Sequence, residues 1–205
     1  MEEPILFTSD ALRIEGLCEQ KSTSRAVIIT HPHPLYGGDM YNAVVSTIQK
    51  TYADAGYTTL RFNFRGVGQS DGHFDNGIGE QTDLKAAREF LSAKGITSID
   101  LAGYSFGSWV AASVACQMDL FEHVILVSPP VSFMDFSGIS HVRHLRLTIV
   151  GDRDDFADLA TLKERLSVLN ATSPLEILSN TDHFYSGSLD NLSIAIKAGI
   201  TAGSL

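Results

Sequence analysis

The chain predicts an α/β fold: one domain built on a mostly parallel, twisted sheet with helices on both faces. Three observations carry that expectation. Short apolar runs alternate with helically spaced segments, glycines stand where helices should stop, and no repeat, low-complexity stretch or linker breaks the rhythm. Alternation of this kind implies right-handed crossovers between parallel strands. A single domain over residues 1–205 is long enough to bury roughly 70% of the surface its unfolded chain exposes.

The elements follow in order. Ile5–Thr8 and Leu12–Cys18 read as an opening antiparallel pair with a Ser9-Asp10 turn. Ala26–Thr30, rich in β-branched residues, reads as a strand covered on both faces. Asn42–Ala55 has helical spacing, and Gly56 stands where a C-terminal cap belongs. Thr58–Phe64 is the next strand. Leu84, Ala87, Phe90 and Leu91 mark a helix over Glu80–Lys94, ended by Gly95. Ser98–Ala102 is a strand and Ser108–Gln117 an alanine-rich, buried helix. Strands at His123–Ser128 and Leu145–Val150 precede an amphipathic helix at Asp158–Leu169. A last strand at Leu175–Leu178 and a helix at Leu189–Ile200 close the pattern.

Composition removes several functional classes. Apolar residues make up 44% and charged residues 19%, a globular balance. The net charge is −9, with no Lys/Arg run, so neither nucleic acid nor an anionic membrane surface is an expected partner. Cys18 and Cys116 lie far apart, match no metal spacing, and read as small buried apolar residues of a reducing compartment. The acidic start Met1-Glu2-Glu3-Pro4 does not resemble a signal peptide, and no segment reaches the ~20 apolar residues that span a bilayer. Without a secretion signal, Asn170-Ala171-Thr172 and Asn191-Leu192-Ser193 read as chance glycosylation patterns. A cytoplasmic location is expected.

In open parallel sheets, ligands bind beyond the carboxyl ends of the strands. Four strand ends carry candidate chemistry. Gly103-Tyr104-Ser105-Phe106-Gly107 lies between a strand and a helix. A sharp turn there pushes a serine hydroxyl outward, and glycines two residues to either side avoid a clash. A plain tight turn is the bland alternative. Gly151-Asp152-Arg153-Asp154-Asp155 follows the strand Leu145–Val150 and offers a carboxylate to orient a histidine; chemistry alone does not choose among its aspartates. Asp182-His183-Phe184 follows the last strand, and histidine best exchanges protons near neutral pH. Seven histidines are present, but only His183 lies after the candidate acid with one helix and one strand between. The order Ser105, Asp154, His183 matches that of α/β-hydrolases.

The fourth segment is His31-Pro32-His33-Pro34-Leu35-Tyr36-Gly37-Gly38, after the strand Ala26–Thr30. Acyl transfer needs two N–H donors facing the tetrahedral oxygen. Phe106 should supply one. Pro32 and Pro34 have no N–H, which leaves His33 or, as the lesser choice, Leu35 for the other. A rigid turn with incidental histidines is the competing view. A zinc site at His31 and His33 lacks partner ligands.

These segments, with Asn63-Phe64-Arg65-Gly66-Val67-Gly68-Gln69-Ser70-Asp71-Gly72, resemble the α/β-hydrolase superfamily, specifically its small, lidless bacterial-type branch near dienelactone hydrolases and carboxylesterases. The resemblance implies Ser105 as nucleophile, His183 as general base and Asp154 as the acid, by its position in Gly-x-x-Asp. It also implies that Arg65 and Asp71 organise a loop near the site, and that no cofactor or metal is used. A dienelactone hydrolase would ordinarily place cysteine at position 105. The short span from Ser128 to Leu145 leaves no room for the cap domain of larger relatives. An open cleft is then expected among Leu35, His73-Phe74, Val131-Ser132-Phe133 and Phe184-Tyr185. The expected activity is cleavage of a small acyl substrate, an ester or thioester. The rivals are a peptidase or amidase on the same residues and a catalytically silent interaction protein. A nucleotide-binding fold is disfavoured because Gly66-Val67-Gly68-Gln69-Ser70-Asp71 lacks the third glycine of the phosphate-binding pattern. Oligomeric state is not legible.

Overall fold

A computed structural model describes residues 1–201. Two antiparallel strands open the chain, β1 (Glu3–Ser9) and β2 (Leu12–Glu19). Then come β3 (Arg25–Thr30), α1 (Ala43–Asp54), β4 (Thr58–Phe62), α2 (Ile78–Ala93), β5 (Ser98–Tyr104) and α3 (Phe106–Gln117). The remainder is β6 (Val124–Val127), β7 (Leu145–Arg153), α4 (Leu159–Asn170), β8 (Leu175–Asp182) and α5 (Leu189–Thr201). One sheet holds all eight strands in the order β1-β2-β4-β3-β5-β6-β7-β8. β1–β2 and β2–β4 pair antiparallel, and every other pair is parallel.

Because successive strand residues face opposite sides, neighbours such as Val27 and Ile28 feed two separate cores. Ile28, Leu60, Leu101 and Leu126 pack against Leu84 and Leu91 of α2, Val110 and Val114 of α3, and Leu162 and Leu166 of α4. On the other face Val27, Ile29, Ala102 and Ile149 meet Val44, Ile48 and Tyr52 of α1 and Leu192 and Ile196 of α5. That double coverage explains why the central strands are apolar throughout. No helix or strand forms between β6 and β7, so the domain has no cap. No helix among the described residues is long and apolar enough to cross a membrane.

The winding direction sets the site. From β3 the chain passes through α1 to β4 on one side; from β5 it passes through α3 to β6 on the other. The reversal between β3 and β5 opens a crevice at their carboxyl ends, where doubly wound sheets bind ligands.

Several element ends differ from expectation. α3 begins at Phe106, two residues before Ser108, because the chain turns into the helix at a single residue. β4 stops at Phe62: Asn63 N–H turns to the Glu15 carbonyl (3.0 Å) and Phe64 N–H to His31 Nε2 (3.0 Å). β7 and β8 run on past Val150 and Leu178, pairing Arg153 with Asp182 across a register shift. The two cysteines are only partly buried.

Candidate active site

Ser105 occupies the single residue between β5 and α3, with φ 53° and ψ −122°. A non-glycine residue in that region stores about 1–3 kcal/mol of strain. Its surroundings hold it there. Ser105 N–H donates to the Val127 carbonyl at 2.9 Å, and its own carbonyl accepts from the Ser108 N–H (2.8 Å) and hydroxyl (2.6 Å). A side chain at Gly103 would lie 2.5 Å from the Gly107 carbonyl oxygen, and one at Gly107 would lie 2.6 Å from that of Thr30. The spacing of glycine, serine and glycine thus lets β3, β5 and α3 close on one another.

The hydroxyl projected by this turn meets a histidine. Ser105 Oγ lies 2.9 Å from His183 Nε2, and His183 Nδ1 lies 2.8 and 2.9 Å from the two Asp154 oxygens. A carboxylate only accepts, so Nδ1 carries the proton and Nε2 is free to accept from the serine. All three side chains are buried. Asp154 Oδ1 also accepts from the N–H groups of Phe156 (3.0 Å) and Ala157 (2.9 Å). Burial pushes the Asp154 carboxyl up; the hydrogen bond and charge of His183, together with Ser128 and Ala157, outweigh it and hold the group below the usual carboxylate range. Asp152 and Asp155 are exposed, and Asp152 instead accepts the Thr181 N–H at 3.3 Å. Geometry therefore separates three aspartates that the sequence pattern left together.

Further groups support this chain, and sequence reasoning did not find them. Tyr104 hydroxyl donates to the His183 carbonyl at 2.9 Å, the Tyr104 ring lies 5.6 Å from the imidazole, and the Phe156 ring packs on it at 4.6 Å. Tyr104 fills an unspecified place in the Gly-x-Ser-x-Gly pattern, and Phe156 follows the acidic run without a motif of its own.

The loop after β3 supplies the facing side. His33 caps a short 3-10 turn, Pro34–Tyr36, by accepting the Leu35 N–H on its ring Nδ1 at 3.2 Å. That bond spends the Leu35 N–H, so Leu35 is corrected from lesser oxyanion donor to a turn residue with an exposed side chain. The His33 N–H has no acceptor among the described residues. Phe106 opens α3, so its N–H has no earlier turn to bond. The positive end of the α3 dipole lies beside Ser105.

The cleft over Ser105 has a volume of about 360 Å³. Tyr36, Phe106, Phe133, Met134, Phe156 and Phe184 line it, together with Pro32, His33 and His183. Several expected wall residues are elsewhere. Tyr185 is fully buried, its hydroxyl 2.9 Å from Ser128 Oγ, while His73 is exposed and Phe74 packs behind His33 and Phe106. Val131 and Ser132 also lie outside the wall. Arg65 and Asp71 do not act on one another. Arg65 forms a buried pair with Asp83 of α2 at 2.8 Å, and Asp71 holds Arg13 at 3.0 Å on the surface.

Residues 26–162 match the sequence profile of the alpha/beta hydrolase fold family. An uncharacterised protein of Rickettsia prowazekii (strain Madrid E) is 36% identical, over 94% of this chain and 86% of that protein. An alpha-beta serine hydrolase homologue from Coxiella burnetii superposes with a TM-score of 0.89 at 32% identity, covering 97% of both chains. A serine hydrolase without lid from Xanthomonas campestris gives 0.89 at 30% identity, covering 98% of this chain and 94% of its own. The chain belongs to the α/β-hydrolase fold family.

Proposed function

We propose that the protein is a serine hydrolase that cleaves a small, uncharged ester or thioester through an acyl-enzyme intermediate. One observation carries this reading: the unbroken path from Asp154 through His183 to Ser105, at 2.8 and 2.9 Å, opening onto a cleft. Ser105 Oγ attacks the acyl carbonyl as His183 Nε2 takes its proton. Asp154 keeps the imidazole in the required tautomer and stabilises the imidazolium. The Phe106 and His33 N–H groups receive the negative oxygen, each worth roughly 3 kcal/mol at the transition state. The intermediate collapses, His183 returns the proton to the leaving group, and water, activated by the same imidazole, releases the acid.

The cleft wall supports the substrate class. It carries aromatic and small residues and no Lys, Arg, Asp or Glu, so a phosphate or carboxylate on the acyl part would find no counter-charge. The Coxiella and Xanthomonas relatives carry serine hydrolase in their names, which agrees with this reading. In a panel of nitrophenyl esters, acyl thioesters and aminoacyl amides, short-chain esters should turn over and Ser105→Ala should lose at least about 10³-fold in kcat. A fluorophosphonate probe should label Ser105 alone. Undiminished turnover in Ser105→Ala overturns the assignment, and turnover confined to amides replaces the ester reading with a peptidase or amidase.

A further inference from the structure

His31 is fully buried at the end of β3, next in sequence to the cleft residue Pro32, yet no step above uses it. Its surroundings dictate its chemistry. Nε2 faces the Phe64 N–H at 3.0 Å, so that nitrogen must accept. Nδ1 lies 2.6 Å from the Pro32 carbonyl oxygen, so that nitrogen must carry the proton and donate. Only the neutral Nδ1–H tautomer satisfies both contacts. Burial holds the imidazole at a pKa of about 4, in keeping with a ring that stays uncharged near neutrality.

The Pro32 carbonyl is half of one peptide unit; the other half is the His33 N–H. The unit is trans, as no cis bond occurs among the described residues. In a planar trans peptide the N–H points opposite the C=O. Anchoring one end in the protein interior therefore aims the other away from it, and Pro32 and His33 both line the cleft. The same segment is clamped to α3. The Thr30 hydroxyl donates to the Gly107 carbonyl at 2.9 Å, and a Cβ at Gly107 would lie 2.7 Å from the His31 carbonyl oxygen.

Resting on the reading of Ser105 as nucleophile, we propose that His31 is a positioning residue that orients the Pro32–His33 peptide, so that the His33 N–H serves as an oxyanion donor. His31 touches no substrate. It acts through the plane of one peptide bond, and it links that plane to the end of β4 through Phe64.

Two substitutions separate its two bonds. In His31→Gln the amide oxygen can occupy the Nε2 position and keep the Phe64 N–H, while the donor to Pro32 is lost. In His31→Asn the amide nitrogen can occupy the Nδ1 position and keep the Pro32 carbonyl, while Phe64 N–H is left bare. With a nitrophenyl ester, His31→Gln should lose about 100-fold in kcat at nearly constant KM. His31→Asn should retain kcat within about threefold and instead melt at a lower temperature. Circular dichroism checks that both are folded. Independently of either variant, imidazole nitrogen shifts of the wild-type protein at pH 7 should report Nδ1 protonated and Nε2 bare. Wild-type kcat in folded His31→Gln, an equal loss in both variants, or a charged or Nε2–H imidazole overturns the inference while leaving Ser105 untouched. A wild-type protein with the expected tautomer but no ester turnover and no fluorophosphonate labelling overturns the nucleophile reading instead.

Discussion

Two buried imidazoles, His183 in the cleft wall and His31 at the end of β3, next in sequence to the cleft residue Pro32, are built for different work. His31 spends both ring nitrogens on backbone, a carbonyl and an N–H, and has no access to solvent. His183 places one nitrogen on a carboxylate and the other on a strained serine, with a small exposed edge. Burial does not distinguish the two. The difference lies in whether the second nitrogen meets a group that can give up a proton. An amide N–H cannot, so His31 stays neutral near pH 7. A serine hydroxyl can, which is what the proposed role of His183 as base requires.

The comparison can be broken by removing what each ring faces. The largest effect is expected at His183. His183→Gln keeps polar contacts but cannot shuttle the proton, and kcat should fall about 10⁴-fold or more, read as nitrophenyl ester turnover. Asp154→Asn should come next. An amide in place of the carboxylate favours the wrong imidazole tautomer, with a loss near 10⁴-fold that is only partly recovered at higher pH.

Acid stability should report on His31 as well. An ordinary histidine in the unfolded chain binds a proton near pH 6.5, whereas folded His31 does so only near pH 4. Between those values the unfolded state holds more protons, so acidification favours unfolding. The stability lost across this window amounts to roughly 3 kcal/mol for the one group. Asp154, held below its usual range, adds a loss at lower pH as it takes up a proton. Urea titrations at pH 7 and pH 4.5 should show a smaller stability gap in His31→Gln than in wild type. The smallest effect is expected from Tyr104→Phe, which removes the hydroxyl bonded to the His183 carbonyl and leaves the ring in place. A kcat loss of about threefold to tenfold is expected, with KM little changed.

Much of this arrangement was legible in the chain, for identifiable reasons. The alternating apolar runs mark the sheet because the central strands are buried on both faces, and Ser105, Asp154 and His183 each follow one of them. The ends of β7 and β8 were not legible. Asp152, Arg153, Ser179 and Asn180 are polar and exposed around a register shift, so no periodicity reveals them. The pairing of Arg65 with Asp83 joins a loop to a helix, a relation that linear order does not encode. Tyr185 resembled a cleft wall because it follows Phe184, but its positive φ of 58° turns the ring inward. The service of His31 to a peptide plane appears only when both of its partners are placed in space.

β8 bears on how the enzyme loses activity. It is the last strand of the sheet, paired on one side only, with much of its length exposed. Residues with such thin cover exchange their amide hydrogens through local opening, below the energy of global unfolding. His183 follows β8 directly, whereas Ser105 is anchored at the centre of the sheet. Warming should therefore detach His183 from Ser105 while the central strands stay protected from exchange. Catalytic failure would then mark the fraying of an edge before the melting of the domain.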